Sequence, residues 1–511
     1  MSRTKASLRN ISFAITFQLL ALAVNFASRT VFIAMLGKEY LGLNGLFSNI
    51  LSMLSLAELG IGTAIIFSLY RPLAENDHSK VAALMSLYKK AYTIIGFIVL
   101  ILGLSIAPFL SFFIKEMPNI PGIYIIYIIF VLNAALSYFL IYKQSLIMAD
   151  QKQYIVTKYR NIFDIALKIF QIFALLLTQS YFLFLILTLV STLGLNLSLS
   201  IKADRMYPFL KGEEKGKLDQ DTKDEMIKNV KGNIAHRIGG IIVLSTDHLL
   251  IARFLGIVTV GIYANYLLIL SSLTTFTKLI YQSLTASIGN LHASSDDENK
   301  ERIFHYIYFF TAWVYGFMSI CLFILLNPFI TLWLGADFTF SNSIVFLMVL
   351  NFFITGMRQP SLTFTDAMGL YWYSRHKPLF EAFINLMSSI YLVIHFGMAG
   401  VLLGTLISTM TTCFWVEPLM VFKYGFNYSV FDYFRKYFHY TVVVLLSGAL
   451  VFSLSRLLTE STVQTFAVKM IICFVVPNII FTIAFYRTKE FKYFAGLAHG
   501  IFRNILHRQS S

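Results

Sequence analysis

Apolar residues come in long runs separated by short polar punctuation, and run length decides which element each run predicts. A helix crossing the hydrocarbon core needs about 20 mainly apolar residues. By that measure the chain predicts fourteen spans, over 11–36, 41–69, 91–114, 123–146, 154–177, 181–201, 234–255, 258–288, 303–326, 343–365, 371–396, 398–422, 434–458 and 462–486. The first run follows Arg3, Lys5 and Arg9, but it is too long for a signal-peptide core and lacks a small-residue cleavage site. It is therefore expected to be a spanning helix and not a leader. The longest hydrophilic segment, Lys202–Lys231, carries eight Lys+Arg and seven Asp+Glu and divides the chain near its middle. It reads as a solvated cytoplasmic linker with a short helix. After Arg487, Phe491, Phe494, Ala498, Phe502 and Ile505 gather near one helical face, with Lys492, Arg503 and Arg508 on others. That pattern predicts an amphipathic tail at the cytoplasmic surface of an anionic membrane.

Composition agrees and narrows the class. Apolar residues make up 57% of 511 and charged residues 13%, about half the charged fraction of a soluble domain, so a soluble enzyme is excluded. Aromatics at 16% exclude disorder. A net charge of +15 raises the question of nucleic acid, and the placement of the cations answers it. With the N-terminus inside, 31 of the 41 Lys+Arg fall in cytoplasmic segments, and only Lys38, Lys115 and Arg456 lie in outside loops. The remaining seven, Arg29, Lys168, Arg237, Arg253, Lys278, Arg358 and Lys469, lie within or at the ends of spans. This asymmetry sets both termini in the cytoplasm. No aromatic-basic module accompanies it, so nucleic acid is not an expected partner. Cys321, Cys413 and Cys473 all sit in apolar runs and suggest no disulfide framework.

The two halves repeat. Leu36-Gly37 with Gly42 matches Leu255-Gly256 with Gly261 at an offset of 219. Lys143-Gln144-Ser145-Leu146 reappears as Arg358-Gln359, then Ser361-Leu362 after an inserted Pro360. Asp150 and Asp366 follow four residues after each Leu, and Tyr154 matches Tyr371. The expected class is an all-α polytopic membrane protein of about fourteen transmembrane helices, two repeated six-helix lobes plus two C-terminal helices. The expected divisions are a first lobe over 1–201, the linker over 202–231, a second lobe over 232–427, two further spans over 428–487 and the tail over 488–511. Parallel repeats of this kind enclose a central site between the lobes.

Charges inside spans cost roughly 2.5–3.5 kcal/mol each on the insertion scale, so they are the candidates for function. Arg160, Asp164 and Lys168 stack along one face of the fifth span, and Arg160 and Asp164 are spaced to pair. Lys377 and Glu381 match Arg160 and Asp164 in the second copy at an offset of 217. Together with Arg358 these are read as structural salt bridges or as gate and lining charge pairs. Arg29 and Lys278 are the candidate cavity cations, with snorkelling to the interface the alternative for each; a cavity role suits a pyrophosphate because Arg offers a bidentate fork and Lys a point charge. Glu58 and Asp247 are the central carboxylates, placed to neutralise a cavity cation or to titrate as a coupling-ion site. Glu417, late in the twelfth span, is expected to reach cytoplasmic water. The sequence carries no Walker A, zinc or nucleophile-elbow signature, and Asp219-Gln220-Asp221 has no catalytic domain around it. No catalytic residue, metal ligand or cofactor is assigned, and the chain is not read as an enzyme. A coupling ion, H+ or Na+, is left open.

Two six-span lobes, a charged linker and two added spans resemble the multidrug/oligosaccharidyl-lipid/polysaccharide (MOP) exporter superfamily, and within it the bacterial O-antigen or capsule polysaccharide flippases. The residues carrying the resemblance are Ala57-Glu58-Leu59-Gly60-Ile61-Gly62-Thr63-Ala64 and Tyr70-Arg71-Pro72-Leu73-Ala74. In the second half they are Ser245-Thr246-Asp247-His248 and Gly261-Ile262-Tyr263-Ala264-Asn265-Tyr266. The resemblance implies export of an undecaprenyl-diphosphate-linked oligosaccharide from the inner to the outer leaflet of the bacterial plasma membrane by alternating access. It implies membrane lipids as surroundings and polysaccharide polymerases and glycosyltransferases as pathway partners. It also implies that spans thirteen and fourteen help form a groove for the lipid tail. The alternatives are a peptidoglycan-precursor flippase, a drug/cation antiporter and, from another class, a membrane glycan polymerase or ligase.

Overall fold

The computed structural model describes residues 3–58, 61–211, 220, 238–243, 245–294, 297–458 and 462–509. The linker beyond 211 (Gln220 apart), Asp219, Asp221 and Arg237 lie outside the described residues. Helix is the only regular structure among them, as a chain in hydrocarbon must satisfy each backbone N–H within its own segment. In chain order the helices are α1 (Arg3–Leu54), α2 (Ile61–Ala74), α3 (His78–Ile106), α4 (Ile123–Ala149), α5 (Gln153–Thr178) and α6 (Tyr181–Met206). There follow α7 (Ile238–Leu255), α8 (Ile257–Ser294), α9 (Asp297–Leu334), α10 (Asn342–Met357), α11 (Gln359–Met368) and α12 (Lys377–Phe396). The last are α13 (Met398–Thr411), α14 (Cys413–Met420), α15 (Phe431–Ser455), α16 (Val463–Phe485) and α17 (Lys489–Gln509).

Thirteen stretches among the described residues are long and apolar enough to cross a membrane, and the protein is a multi-pass membrane protein. The fourteen spans expected from run length differ at the N-terminal end. There α1 is two helical stretches joined across a kink at Gly37 (φ 83°, ψ −177°), between the expected first and second spans. The expected second span, 41–69, is divided among the end of α1, a 3-10 turn at Ser55–Glu58 and α2.

The described residues form two compact units, Met1–Asn265 and Tyr266–Ser511. In the first, α2, α3, α4 and α6 close around Leu69, Leu84, Tyr88, Leu146 and Leu199, all buried. Glycines set the spacing of α3 and α4: a Cβ on Gly103 would lie 2.6 Å from Val131 and one on Gly96 2.9 Å from Phe139. Small residues permit such close helix approach where lipid supplies no hydrophobic drive. In the second unit an aromatic knot holds α9, α11 and the π-helical turn Val421–Phe426 together, with Phe304 5.2 Å from both Phe364 and Phe422. The added helices α15 and α16 pack on α9, where the Trp313 indole donates to Asn478 Oδ1 at 2.9 Å.

The repeat is written in the backbone. Gly37 and Gly256 share a positive φ and an extended ψ at the 219 offset. Gln151 and Gly369, then Gln179 and Gly397, share positive φ at an offset of 218. Within the first unit the two glycine turns also meet. A Cβ on Gly42 would lie 1.9 Å from the carbonyl oxygen of Ile257, and one on Gly261 would lie 2.3 Å from that of Lys38. Lys38 and Ile257 are themselves related by the 219 offset, so the contact is reciprocal and locally two-fold. At the α4–α5 turn, Asp150 accepts from Tyr207 at 2.7 Å and pairs with Lys152 at 2.6 Å. Burial pushes its carboxyl up, but Lys152 and the Tyr207 hydroxyl outweigh that and hold it below the ordinary value.

Candidate functional site

Within the first unit, α1, α4, α5 and α6 line a cavity of about 470 Å³. Its wall is polar for a membrane interior. Asn44, Ser48, Ser52 and Ser55 line it from α1 and the turn after it, Asn133 and Ser137 from α4, Lys168 and Gln171 from α5, and Thr188 from α6. The Gln171 amide donates to Phe184 O at 3.1 Å and to Thr188 Oγ1 at 2.9 Å, which fixes its carbonyl oxygen. That oxygen and Asn133 Oδ1 are buried with no hydrogen-bond partner among the described residues. A buried polar atom left in this state costs about 1–3 kcal/mol, so the cavity has acceptor capacity for a hydroxylated ligand.

Its charge is cationic. Lys168 projects into the wall, Arg29 on α1 is near enough to repel it, and Asp164 attracts it. Arg29 Nη1 is buried and has no hydrogen-bond partner among the described residues. The four-residue spacing of α5 thus brings Lys168 to the cavity. Arg160 and Asp164 lie toward the surface, and among the described residues no ion pair joins them. Lys278 faces the surface of α8, in the second unit. Glu58, half-buried where the 3-10 turn follows α1, accepts from the Tyr92 hydroxyl at 2.5 Å. A Cβ on Gly62 would meet Tyr92 Oη, Glu58 Oε1 and Tyr88 Oη within 3.0 Å, so this cluster is tightly closed. Asp247 is half-buried on α7 and interacts electrostatically with Tyr263.

The second unit gathers its charges into one network. Arg358, at the junction of α10 and α11, donates from Nε and Nη2 to Glu417 on α14 at 2.9 and 2.7 Å. Lys377, the first residue of α12, donates to Glu417 Oε1 at 2.5 Å. Glu381, one turn further on, stands 3.7 Å from Arg358 Nη1 and 4.0 Å from Lys377 Nζ. Glu417 does not reach water: its side chain is only 4% exposed. In the first unit the related pair is Lys143–Asp204, with both carboxylate oxygens within 2.8 Å of Nζ. The repeat therefore shares one ion pair per copy, Lys143–Asp204 and Arg358–Glu417, and only the second copy adds Lys377 and Glu381 to it.

Sequence reasoning passed over Asn133 and Gln171, since neutral polar residues in apolar runs are common. It also treated Glu417 as terminal. The signal that identifies Glu417 was present: Asp204 and Glu417 stand at an offset of 213, close to the 215 that relates Lys143 to Arg358.

No protein-family model and no curated protein matches the chain. Solved structures do. The lipid II flippase MurJ in an inward closed conformation is 15% identical, with a TM-score of 0.63, covering 93% of this chain and 99% of its own. An inward-facing multidrug resistance MATE family transporter of the MOP superfamily is 13% identical, with a TM-score of 0.61 over 76% of this chain and 91% of its own. The MATE multidrug transporter DinF-BH is 16% identical, with a TM-score of 0.55 over 81% and 95%. At these identities it is the architecture that is shared: the chain has the fold of the MOP superfamily transporters.

Proposed function

We propose that the chain is a flippase that moves an undecaprenyl-diphosphate-linked oligosaccharide from the inner to the outer leaflet, exposing its site to each side in turn. The observation that carries this reading is a cavity in which Lys168 meets open acceptors, with Arg29 close enough to act on Lys168. Arg29 and Lys168 supply positive charge for a diphosphate. Asn133 and Gln171 offer carbonyl oxygens to sugar hydroxyls. A cationic antiport substrate would be repelled by the same two side chains. The second unit holds an apolar cavity of about 340 Å³ between α9, α10 and α15, walled by Phe323, Phe346, Phe353 and Phe452, whose chemistry suits an apolar chain.

A peptidoglycan precursor is the second reading. It shares the diphosphate-polyprenyl chemistry, and the fold likeness to a lipid II flippase spans 93% of this chain. Complementation separates the two. Restored glycan export in a strain lacking its oligosaccharide flippase supports the first reading. Rescue of only a strain lacking its peptidoglycan-precursor flippase replaces it with the second.

A further inference from the structure

We propose that Arg358 and Lys377 form a phosphate-binding site that Glu381 fills as a displaceable internal carboxylate. This deepens the reading above, that the chain handles a diphosphate-bearing lipid, and rests on it. The two carboxylates of the network are held very differently. Glu417 takes three contacts between 2.5 and 2.9 Å. Glu381 stands at 3.7 and 4.0 Å, outside hydrogen-bond reach of either cation. No hydrogen bond ties it to either cation, and the Coulomb attraction between them is available to any anion.

Exposure gives the direction of exchange. Glu417 is 4% exposed at the closed side, while Glu381, Lys377 and Arg358 are 12, 11 and 16% exposed. Glu381, Lys377 and Arg358 share the more accessible side of the network. With Glu381 in place the four side chains are neutral; with it withdrawn, Arg358, Lys377 and Glu417 carry a net positive charge. Arg358 Nη1 has no short contact among the described residues, and Lys377 is the first residue of α12, where the helix dipole adds to the field. A phosphate oxyanion suits that vacancy because it accepts from a guanidinium fork and an ammonium together. The exchange swaps one anion for another and makes or breaks no covalent bond. Nothing equivalent exists among the described residues of the first copy. There Arg160 and Asp164 lie toward the surface, and the Lys143–Asp204 pair has no second carboxylate in contact.

The test is calorimetric binding to the full-length protein in lipid nanodiscs, with inorganic pyrophosphate and farnesyl diphosphate as separate probes. An internal competitor that fills the site most of the time raises the apparent Kd by the inverse of the open fraction. Glu381→Gln should therefore tighten binding about tenfold, with Glu381→Asp, a shorter carboxylate, intermediate and available if the first variant does not fold. Lys377→Met should lose the gain in the Glu381→Gln background. A gain with both probes assigns recognition to the phosphate alone; a gain confined to farnesyl diphosphate assigns it to a lipid-borne headgroup. Unchanged or weaker binding of both probes in either Glu381 variant overturns the site. Tightened binding in a protein that transports no lipid-linked glycan would remove the flippase reading and leave the site standing.

Discussion

Glu417→Gln is the substitution whose cost the structure fixes best. The change keeps volume and removes one charge, leaving Arg358 and Lys377 beside a carboxylate that reaches neither within hydrogen-bond distance. At an effective dielectric of about 20, one ion pair at 2.7 Å is worth roughly 6 kcal/mol of gross attraction. Breaking a buried pair by removing one partner costs about 3–5 kcal/mol net, because the other charge stays buried. For a unit of roughly 250 residues, each kcal/mol moves the melting midpoint by about 2–4 °C, so the expected drop is about 6–20 °C. Asp204→Asn breaks the matching pair of the first copy, but there the carboxylate is 25% exposed, and its cost should be about 1 kcal/mol. The assay is thermal unfolding followed by fluorescence-detected size exclusion in one detergent for all variants. Lys377→Met in the Glu417→Gln background restores neutrality and should recover more than half of the loss. A Glu417→Gln midpoint within about 3 °C of wild type, or equal to that of Asp204→Asn, would refute the reasoning.

Two further outcomes follow from local geometry. Gly42→Ala places a methyl 1.9 Å from the Ile257 carbonyl oxygen, and overpacking against backbone costs about 1–3 kcal/mol or more. The monodisperse yield should fall sharply, while Gly448→Ala, whose nearest neighbour is 3.6 Å away, should leave it unchanged. Asp150→Asn removes a carboxylate held below its ordinary value by Lys152 and Tyr207 against the pull of burial. Its contribution, about 1 kcal/mol, is present above the ordinary aspartate value of 3.8 and is lost as pH falls through the lowered folded value. The gap between wild type and Asp150→Asn melting midpoints should therefore be constant from about pH 8 to 5 and close only in stronger acid. A gap that narrows already between about pH 8 and 6 would assign the stabilisation to another group.

Run length and charge asymmetry made the helical membrane architecture legible because lipid imposes a length and a polarity on each segment. The repeat was legible for a related reason: Gly37 and Gly256 occupy a backbone region that favours glycine, so their spacing survives where apolar side chains drift. The kink was legible as well: Lys38 and Glu39 separate the first two runs, and the helix direction breaks at Gly37 beside them. The division of the second run was not legible, since the 3-10 turn Ser55–Glu58 falls inside an apolar stretch whose one charge is Glu58. Among charges, four-residue spacing showed which residues share a helix face but not what that face meets. Lys168 lines a cavity while Arg160 and Asp164, on the same helix, lie toward the surface. Lys377 and Glu381 look like a self-contained couple in sequence, yet Lys377 binds Glu417, forty positions away, more tightly than it approaches Glu381. Partners supplied by other helices are a property of packing, and a single helix's periodicity does not carry them.

The central claim is that Lys168, in the first unit's cavity, and the neighbouring Arg29 receive the diphosphate of a lipid-linked glycan. Its most direct test is leaflet transfer of an undecaprenyl-diphosphate-linked oligosaccharide in proteoliposomes, comparing wild type with Arg29→Gln and Lys168→Gln at matched protein density. Losing one of two charge-assisted phosphate contacts removes about 1.5–3 kcal/mol of binding, so each variant should slow transfer by roughly 10- to 150-fold at subsaturating substrate. Wild-type rates in both variants would contradict the claim.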